Sequence, residues 1–374
     1  MMAARRPLEG LRVIELGLAL AGPFAGSLLA ELGAQVIKIE RPGGGDPARL
    51  MGISVKDVAV WWGVAARAKL CIDLDLKNAD DRNTLLALIA SADALVENYR
   101  PGVLERMGLG WTALRELNPR LVMASISGFG QTGPHASRPG FGKIAEAMSG
   151  IVMLTGSPDD VPIHIGFSLA DTSAGLMAAF GVSLALYQRD VAGQAGAHTD
   201  VALFEPLFRM TECQLALAER MGRAPAREGT NDPYGWGASG GLEAAGPTPA
   251  NGNALRALQC ADDGWLMVSA GIADHLAERA GALPVREALS LLGHEGVAAA
   301  QVHDGATINA DPYFRARGDV REVMDPVIGA TQVPGELPKA WKAPELPEFR
   351  PTPPDADRAT VNRILDLLLQ QMLQ

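Results

Sequence analysis

Over its first 130 residues the chain alternates short apolar runs with longer segments of helical period, and this alternation narrows the possible folds more than any other feature. "LRVIELG" at 11–17, "QVIKIE" at 35–40, "ALVENY" at 94–99 and "LVMASISGFG" at 121–130 read as strands. Between them "GPFAGSLLAELGA", "DLKNADDRNTLLALIASA", "PGVLERMG" and "WTALRELNP" read as helices. Runs this continuously apolar suit strands covered on both faces, so the pattern predicts an α/β domain with a mostly parallel sheet. Gly33 and Gly108 stand where left-handed helix ends are expected, and Pro101 suits a first helical turn.

A parallel sheet invites a dinucleotide reading, but the first strand-to-helix turn, "ELGLALAGPFAG", carries no GxGxxG, and no GxxxxGK[ST] occurs elsewhere. The net charge of −10 argues against nucleic acid or an anionic membrane as partner, while leaving room for a local basic site that binds a phosphorylated ligand. Cys71, Cys213 and Cys260 form no CxxC pair, and the six histidines fall at neither HxH nor HExxH spacing. Thus no disulfide framework or metal centre is expected, and a reducing, cytoplasmic setting fits. The longest apolar stretches, 16–32 and 169–186, are interrupted by Gly, Pro, Ser or Asp, and the N-terminal residues lack a signal-peptide core. With 374 residues, 48% of them hydrophobic, the chain is long enough for a large core and two domains.

Beyond residue 190 the pattern changes. Residues 200–222 read as one helical connector, and 222–257 are rich in Gly, Pro, Ala and Asn. There "YGWGASGG" supplies Gly237, Gly240 and Gly241 to a segment that is either a lid over a site or a linker. "LQCADDGWLMVSAG" reads as a hairpin turning at Asp262–Gly264, followed by helical pieces over 272–300 and short strands over 320–341. A Pro-rich spacer leads to a final helix with Asp355 or Asp357 at its N-terminus. The expected organisation is a large domain over 1–200, the helical connector over 201–230, a small domain over 231–325 and a returning segment over 326–374.

One charge stands out. In "IGFSLADTSAGLMAAFGVSLALYQRD", residues 165–190, Asp171 opens a long apolar helix. Its carboxylate either caps that helix and complements its dipole, or points into a cleft as a nucleophile or general base, with Ala174 and Gly175 leaving space for a bulky partner.

Several stretches taken together, in order, resemble the family III CoA-transferases: 8–49, "DLDLK", "ADALVENYRPGVLERMGLGW", "NPRLVMASISGFGQTGP", "AEAMSG" and "ADTSAG". The resemblance runs through roughly residues 8–210 and thins beyond. It implies a large Rossmann-like parallel-sheet domain, a smaller α+β domain that is shortened here, and two chains interlocked as rings in a homodimer. It further implies coenzyme A or acyl-CoA as substrate, with no tightly bound cofactor, and a small carboxylic acid as the other partner. The family's CoA contacts fall on Leu20, Ala21, Arg41, Leu74, Lys77, Asn98, Tyr99 and Arg106, and its nucleophile falls on Asp171. Arg41, Lys77 and Arg106 suit CoA's phosphates, while Tyr99 fits either an adenine or the apolar core. "RPGFGKIAEAMSG" is similar to members that act on small dicarboxylates. Lys143 or Arg138 then meets a distal carboxylate, unless Lys143 simply pairs with Glu146 along the helix. Two alternatives remain. The racemases of this fold carry a His-Asp pair where this chain has Phe141 and Gly142, which disfavours that activity; a CoA-binding protein without transferase activity is the other.

Overall fold

The apolar runs at 11–17, 35–40, 94–99 and 121–130 become β1 (Arg12–Glu15), β2 (Gln35–Glu40), β4 (Ala94–Glu97) and β5 (Val122–Ser127), with β3 (Lys69–Asp73) and β6 (His198–Ala202) added. The structure is a computed structural model that describes residues 6–225, 227, 229, 255–269, 272–325, 327–339 and 355–372. The described residues form two compact units: those within 6–149, 166–210 and 317–372 make up the first, and those within 150–165 and 211–316 the second.

In the first unit the strands form one six-stranded sheet in the order β3-β2-β1-β4-β5-β6, every pairing parallel. This is the doubly wound order, in which the chain reverses its direction of travel across the sheet between β1 and β4. Ile14, Ile37, Ile72, Leu95 and Met123 pack under the helix α2 (Ala79–Ala90), with its Leu85, Leu88 and Ile89. α2 starts cleanly because Asn78 accepts hydrogen bonds from the amides of Asp80 and Asp81. Gly33 and Gly108 take the expected left-handed conformation, at φ +106° and +67°. Pro101 does not enter its helix, which begins at Val103 after a left-handed Gly102.

The helix α1 (Ala21–Glu31) packs against the long α4 (Leu169–Val191), which also lies on β5. Here the structure corrects the sequence reading: the space at Gly175 is taken by α1, since a β-carbon there would lie 2.7 Å from the Ala21 carbonyl oxygen. The residues after Asp171 are small to let two helices touch. A second correction concerns 200–222, which is not one helix. His198–Ala202 joins the sheet through pairing of Ser125 with Asp200, and separate helices follow at Glu205–Met210 and Cys213–Met221.

The open edge of the sheet at β3 is closed by the chain that leads into α5 (Arg358–Met372). Asp357 accepts from the Cys71 amide at 2.9 Å and Asp355 from the Asp73 amide at 3.1 Å, while Arg358 donates to the Asp73 carbonyl. The two carboxylates expected to serve a helix N-terminus are spent on the strand edge. They mimic the partner strand that an edge lacks.

In the second unit, Leu255–Gln259, Trp265–Ser269 and Ala299–Gln301 form an antiparallel sheet under the helices Asp274–Gly281 and Val285–His294. The predicted hairpin forms, and Asp263 turns it at φ +60°. Gly237, Gly240 and Gly241 lie outside the described residues.

Candidate active site

In a doubly wound sheet the carboxyl ends of the two strands flanking the reversal diverge and leave a crevice. Here that crevice opens between the turn after β1, residues 17–20, and the segment after β4 that begins at Asn98. Buried charge holds the turn. Glu15 and Lys38 are paired in register on β1 and β2, 2.8 Å apart, and Lys38 also reaches Asp46 Oδ2 at 2.7 Å and the Gly17 carbonyl at 2.7 Å. Lys69 lies 2.9 Å from the other oxygen of Glu15, and none of these four side chains is exposed. Burial works against the Lys38 ammonium, but the charges of Glu15 and Asp46 outweigh it and hold its pKa above the usual range. Gly26 is required alongside, because a β-carbon there would overlap Glu15 Oε2.

Asp46 then accepts from the Ala19 amide at 2.9 Å, and Asn98 grips the preceding residue on both sides, accepting from Leu18 N at 2.7 Å and donating to Leu18 O at 2.9 Å. So fixed, Ala19 adopts φ +60°, a left-handed conformation that nucleotide-binding turns usually obtain with glycine. The Asn98 amide is therefore engaged in shaping the turn.

Around this turn lies a cavity of about 320 Å³ that brings together Leu20, Ala21, Asn98, Tyr99, Arg138, Lys143 and Asp171. Asp171 is the third residue of α4, whose N-cap is Ser168, so the reading of Asp171 as the cap residue fails. Its carboxylate packs against Gly142, the first residue of α3 (Gly142–Ser149), where a β-carbon would overlap Asp171 Oδ2. Burial pushes the Asp171 carboxyl up to about 6, and the negative charge of Glu146 adds to this while Lys143 opposes it. Lys143 donates to both Glu146 oxygens at 3.0 Å and to the Phe167 carbonyl at 2.6 Å. Glu146 itself is buried. The Arg138 guanidinium stands exposed on the cavity wall without a hydrogen bond or ion pair among the described residues.

Arg41, Leu74, Lys77 and Arg106 do not line this cavity. Arg41 and Leu74 directly follow β2 and β3, and so lie along the same carboxyl edge; Leu74 is buried, whereas Arg41, Lys77 and Arg106 present exposed cations. Among the described residues no three His, Cys, Asp or Glu side chains are gathered to hold a metal ion. Sequence reasoning passed over Glu15, Lys38 and Lys69, although charges inside apolar strands were a visible signal, and over Asp46, which lies beyond the end of β2. It treated Glu146 only as a surface partner of Lys143.

The sequence pattern of CoA-transferase family III matches residues 8–359. The chain belongs to the family III CoA-transferases. It is 36% identical to a succinyl-CoA–D-citramalate CoA-transferase of Chloroflexus aurantiacus, over 91% of this chain and 89% of that one. With an acetyl-CoA:oxalate CoA-transferase of Acetobacter aceti it shares 44% identity, over 61% of this chain and 59% of that protein. A solved CAIB/BAIF family protein from Brucella suis superposes with a TM-score of 0.82 at 29% identity, over 97% of this chain and 100% of that one. The enzyme is thus a CoA-transferase, and the family's substrates are CoA thioesters.

Proposed function

We propose that this CoA-transferase moves CoA between an acyl-CoA and a small dicarboxylic acid, with Asp171 as the covalent relay. The observation that carries the reading is the placement of Asp171, seated against a glycine in the crevice and desolvated enough to raise its pKa to about 6. A carboxylate stripped of part of its hydration is more basic and attacks more readily than one in water.

In the first step Asp171 adds to the thioester carbonyl, the carbon–sulfur bond breaks, and CoA leaves as thiolate from a mixed anhydride. The thiolate then attacks the Asp171 carbonyl carbon and expels the first acid as a carboxylate, leaving an aspartyl-CoA thioester. The acceptor carboxylate attacks this thioester, releasing thiolate again and forming a second anhydride. Finally the thiolate attacks the acceptor's own carbonyl carbon, and Asp171 departs as a free carboxylate. No proton is gained or lost overall.

Succinate, citramalate and oxalate, named in two relatives, are all dicarboxylic acids, and the open Arg138 guanidinium on the cavity wall is the natural partner for a distal carboxylate. Arg41, Lys77 and Arg106 supply exposed positive charge for CoA's phosphates in a chain of net charge −10. Two copies are expected to associate: Leu176, Phe180, Leu184, Tyr187 and Val191 leave an apolar stripe on the exposed side of α4. Racemisation is disfavoured because the residue at 142 must be glycine while Asp171 keeps its place.

Incubation with an acyl-CoA panel and hydroxylamine tests the reading. An activated Asp171 becomes its hydroxamate, a gain of about 15 Da on the peptide that contains it, from exchange of OH for NHOH at the acyl carbon. An unmodified Asp171 peptide, in a preparation that turns over, would remove the residue from the reaction.

A further inference from the structure

A buried carboxylate beside a nucleophilic carboxylate is costly on two counts. It must itself be desolvated, and it repels the charge that the reaction needs. Glu146 nevertheless occupies that position, with its side chain 1% exposed and both of its oxygens 3.0 Å from Lys143 Nζ. A helix-surface pair would stay in solvent. This one links the buried side of α3 to the strand of chain that enters α4, because the same ammonium donates to the Phe167 carbonyl.

We infer that Glu146 is a positioning residue for the transfer reaction: by holding the Lys143 ammonium on α3 and on Phe167, it keeps that cation from closing onto Asp171 as an ion pair. The inference rests on Asp171 as the nucleophile and adds a device that keeps the nucleophile free. An Asp171 locked to an ammonium would be stabilised in the ground state and would have to break that pair before attacking, which lowers its reactivity. The opposed influences agree with this arrangement, because burial and the Glu146 charge raise the Asp171 pKa and Lys143 lowers it. The other titratable groups on the cavity walls are Arg138, on the segment before α3, and Tyr99 with Arg100, after β4. Among these, Lys143 is the cation whose influence reaches Asp171 most strongly.

The test uses the full chain with Asp γ-carboxyl carbons labelled, the Asp171 resonance being assigned by its loss in Asp171→Asn. Titration is followed in the parent, Glu146→Gln, Lys143→Met and the double variant. Glu146→Gln is expected to lower the Asp171 midpoint and Lys143→Met to raise it, with the double variant between. Hydroxamate formation from succinyl-CoA should slow by about tenfold or more in Glu146→Gln, a rise of about 1.4 kcal/mol in the barrier, and recover when Lys143→Met is added. A purely structural Glu146 predicts no such rescue. If Glu146→Gln does not fold, Glu146→Asp takes its place: it keeps the charge but shortens the reach to Lys143 Nζ, and the same slowing with rescue by Lys143→Met is expected, while full activity in Glu146→Asp overturns the inference. Unmoved midpoints, or a double variant as slow as Glu146→Gln, overturn the inference while leaving a trapped parent Asp171 intact. A parent enzyme that transfers CoA without ever trapping at Asp171 overturns both readings.

Discussion

Replacing Asp171 with asparagine should make the protein more stable while stopping the reaction, and the size of the gain should depend on pH. The side chain keeps its shape, so packing against Gly142 is preserved. What disappears is a charge held in a desolvated place. The folded-state pKa of about 6 lies roughly two units above the ordinary value of 3.8, and a unit is worth about 1.4 kcal/mol, so the ionised form costs up to about 3 kcal/mol. Because the raised pKa makes the native state bind more protons than the unfolded chain, the parent loses stability as pH rises from 4 to about 6 and stays at the lower level above. The asparagine variant escapes that loss. Denaturant unfolding of both proteins at pH 4 and pH 8 should therefore show near-equal stability at the lower pH and an advantage for the variant at the higher one. Glu97, whose carboxyl burial pushes up to about 7, titrates in the same window but cancels between the two proteins. A carboxylate that merely complements the helix dipole predicts the opposite sign, a loss of about 0.3–1 kcal/mol on removing its charge. A variant that is less stable than the parent at pH 8, or a gap that ignores pH, would refute the reasoning.

Transfer in the parent should rise with pH through a midpoint near 6, since the attacking carboxylate must be ionised; an acid limb near 4 in kcat/KM would show that Asp171 is not desolvated in solution. Gly142→Ala should fold but lose transfer, because the new methyl occupies the place of Asp171 Oδ2, and a kinetic assay showing full activity would contradict the close packing. Lys38→Met should cost about 3–5 kcal/mol in a thermal or denaturant melt, as it leaves the buried Asp46 carboxylate without its cation and Glu15 with Lys69 alone. Alanine at Arg41, Lys77 or Arg106 should weaken CoA binding by about 1–3 kcal/mol, less at high salt, as measured calorimetrically; unchanged affinity in all three would move the CoA phosphates elsewhere.

Strands buried on both faces were legible because each is a nearly unbroken apolar run. β3 and β6 were not: both are edge strands, "KLCID" is a short run bounded by charges, and "HTDVA" has only two fully buried residues and a polar start that reads as loop or helix. The hairpin turn and the left-handed glycines depend on neighbours in the chain, so they could be read locally. The Glu15–Lys38–Lys69–Asp46 network could not, because its pairs exist only once β1, β2 and β3 are in register. Asp171 became legible as chemistry only through family likeness. Alone, its sequence context fits a helix start equally well, and the features that favour the proposed nucleophile, its depth and the glycine against it, are tertiary facts. Glu146 shows the same limit, since spacing predicts its ion pair but not its burial.

The carboxylates of Asp355 and Asp357 that close the edge at β3 lie more than 280 residues downstream of the amides they cover. A ribosome adding about 5–20 residues each second leaves that edge bare for roughly 15–60 s after β3 has emerged. For that interval the nascent sheet offers Cys71 and Asp73 amides to any extended segment nearby, including the same edge on a neighbouring nascent chain. Messages that end early, or chains clipped before residue 355, would never acquire their stopper, and they are the species for which a chaperone or a protease would be needed.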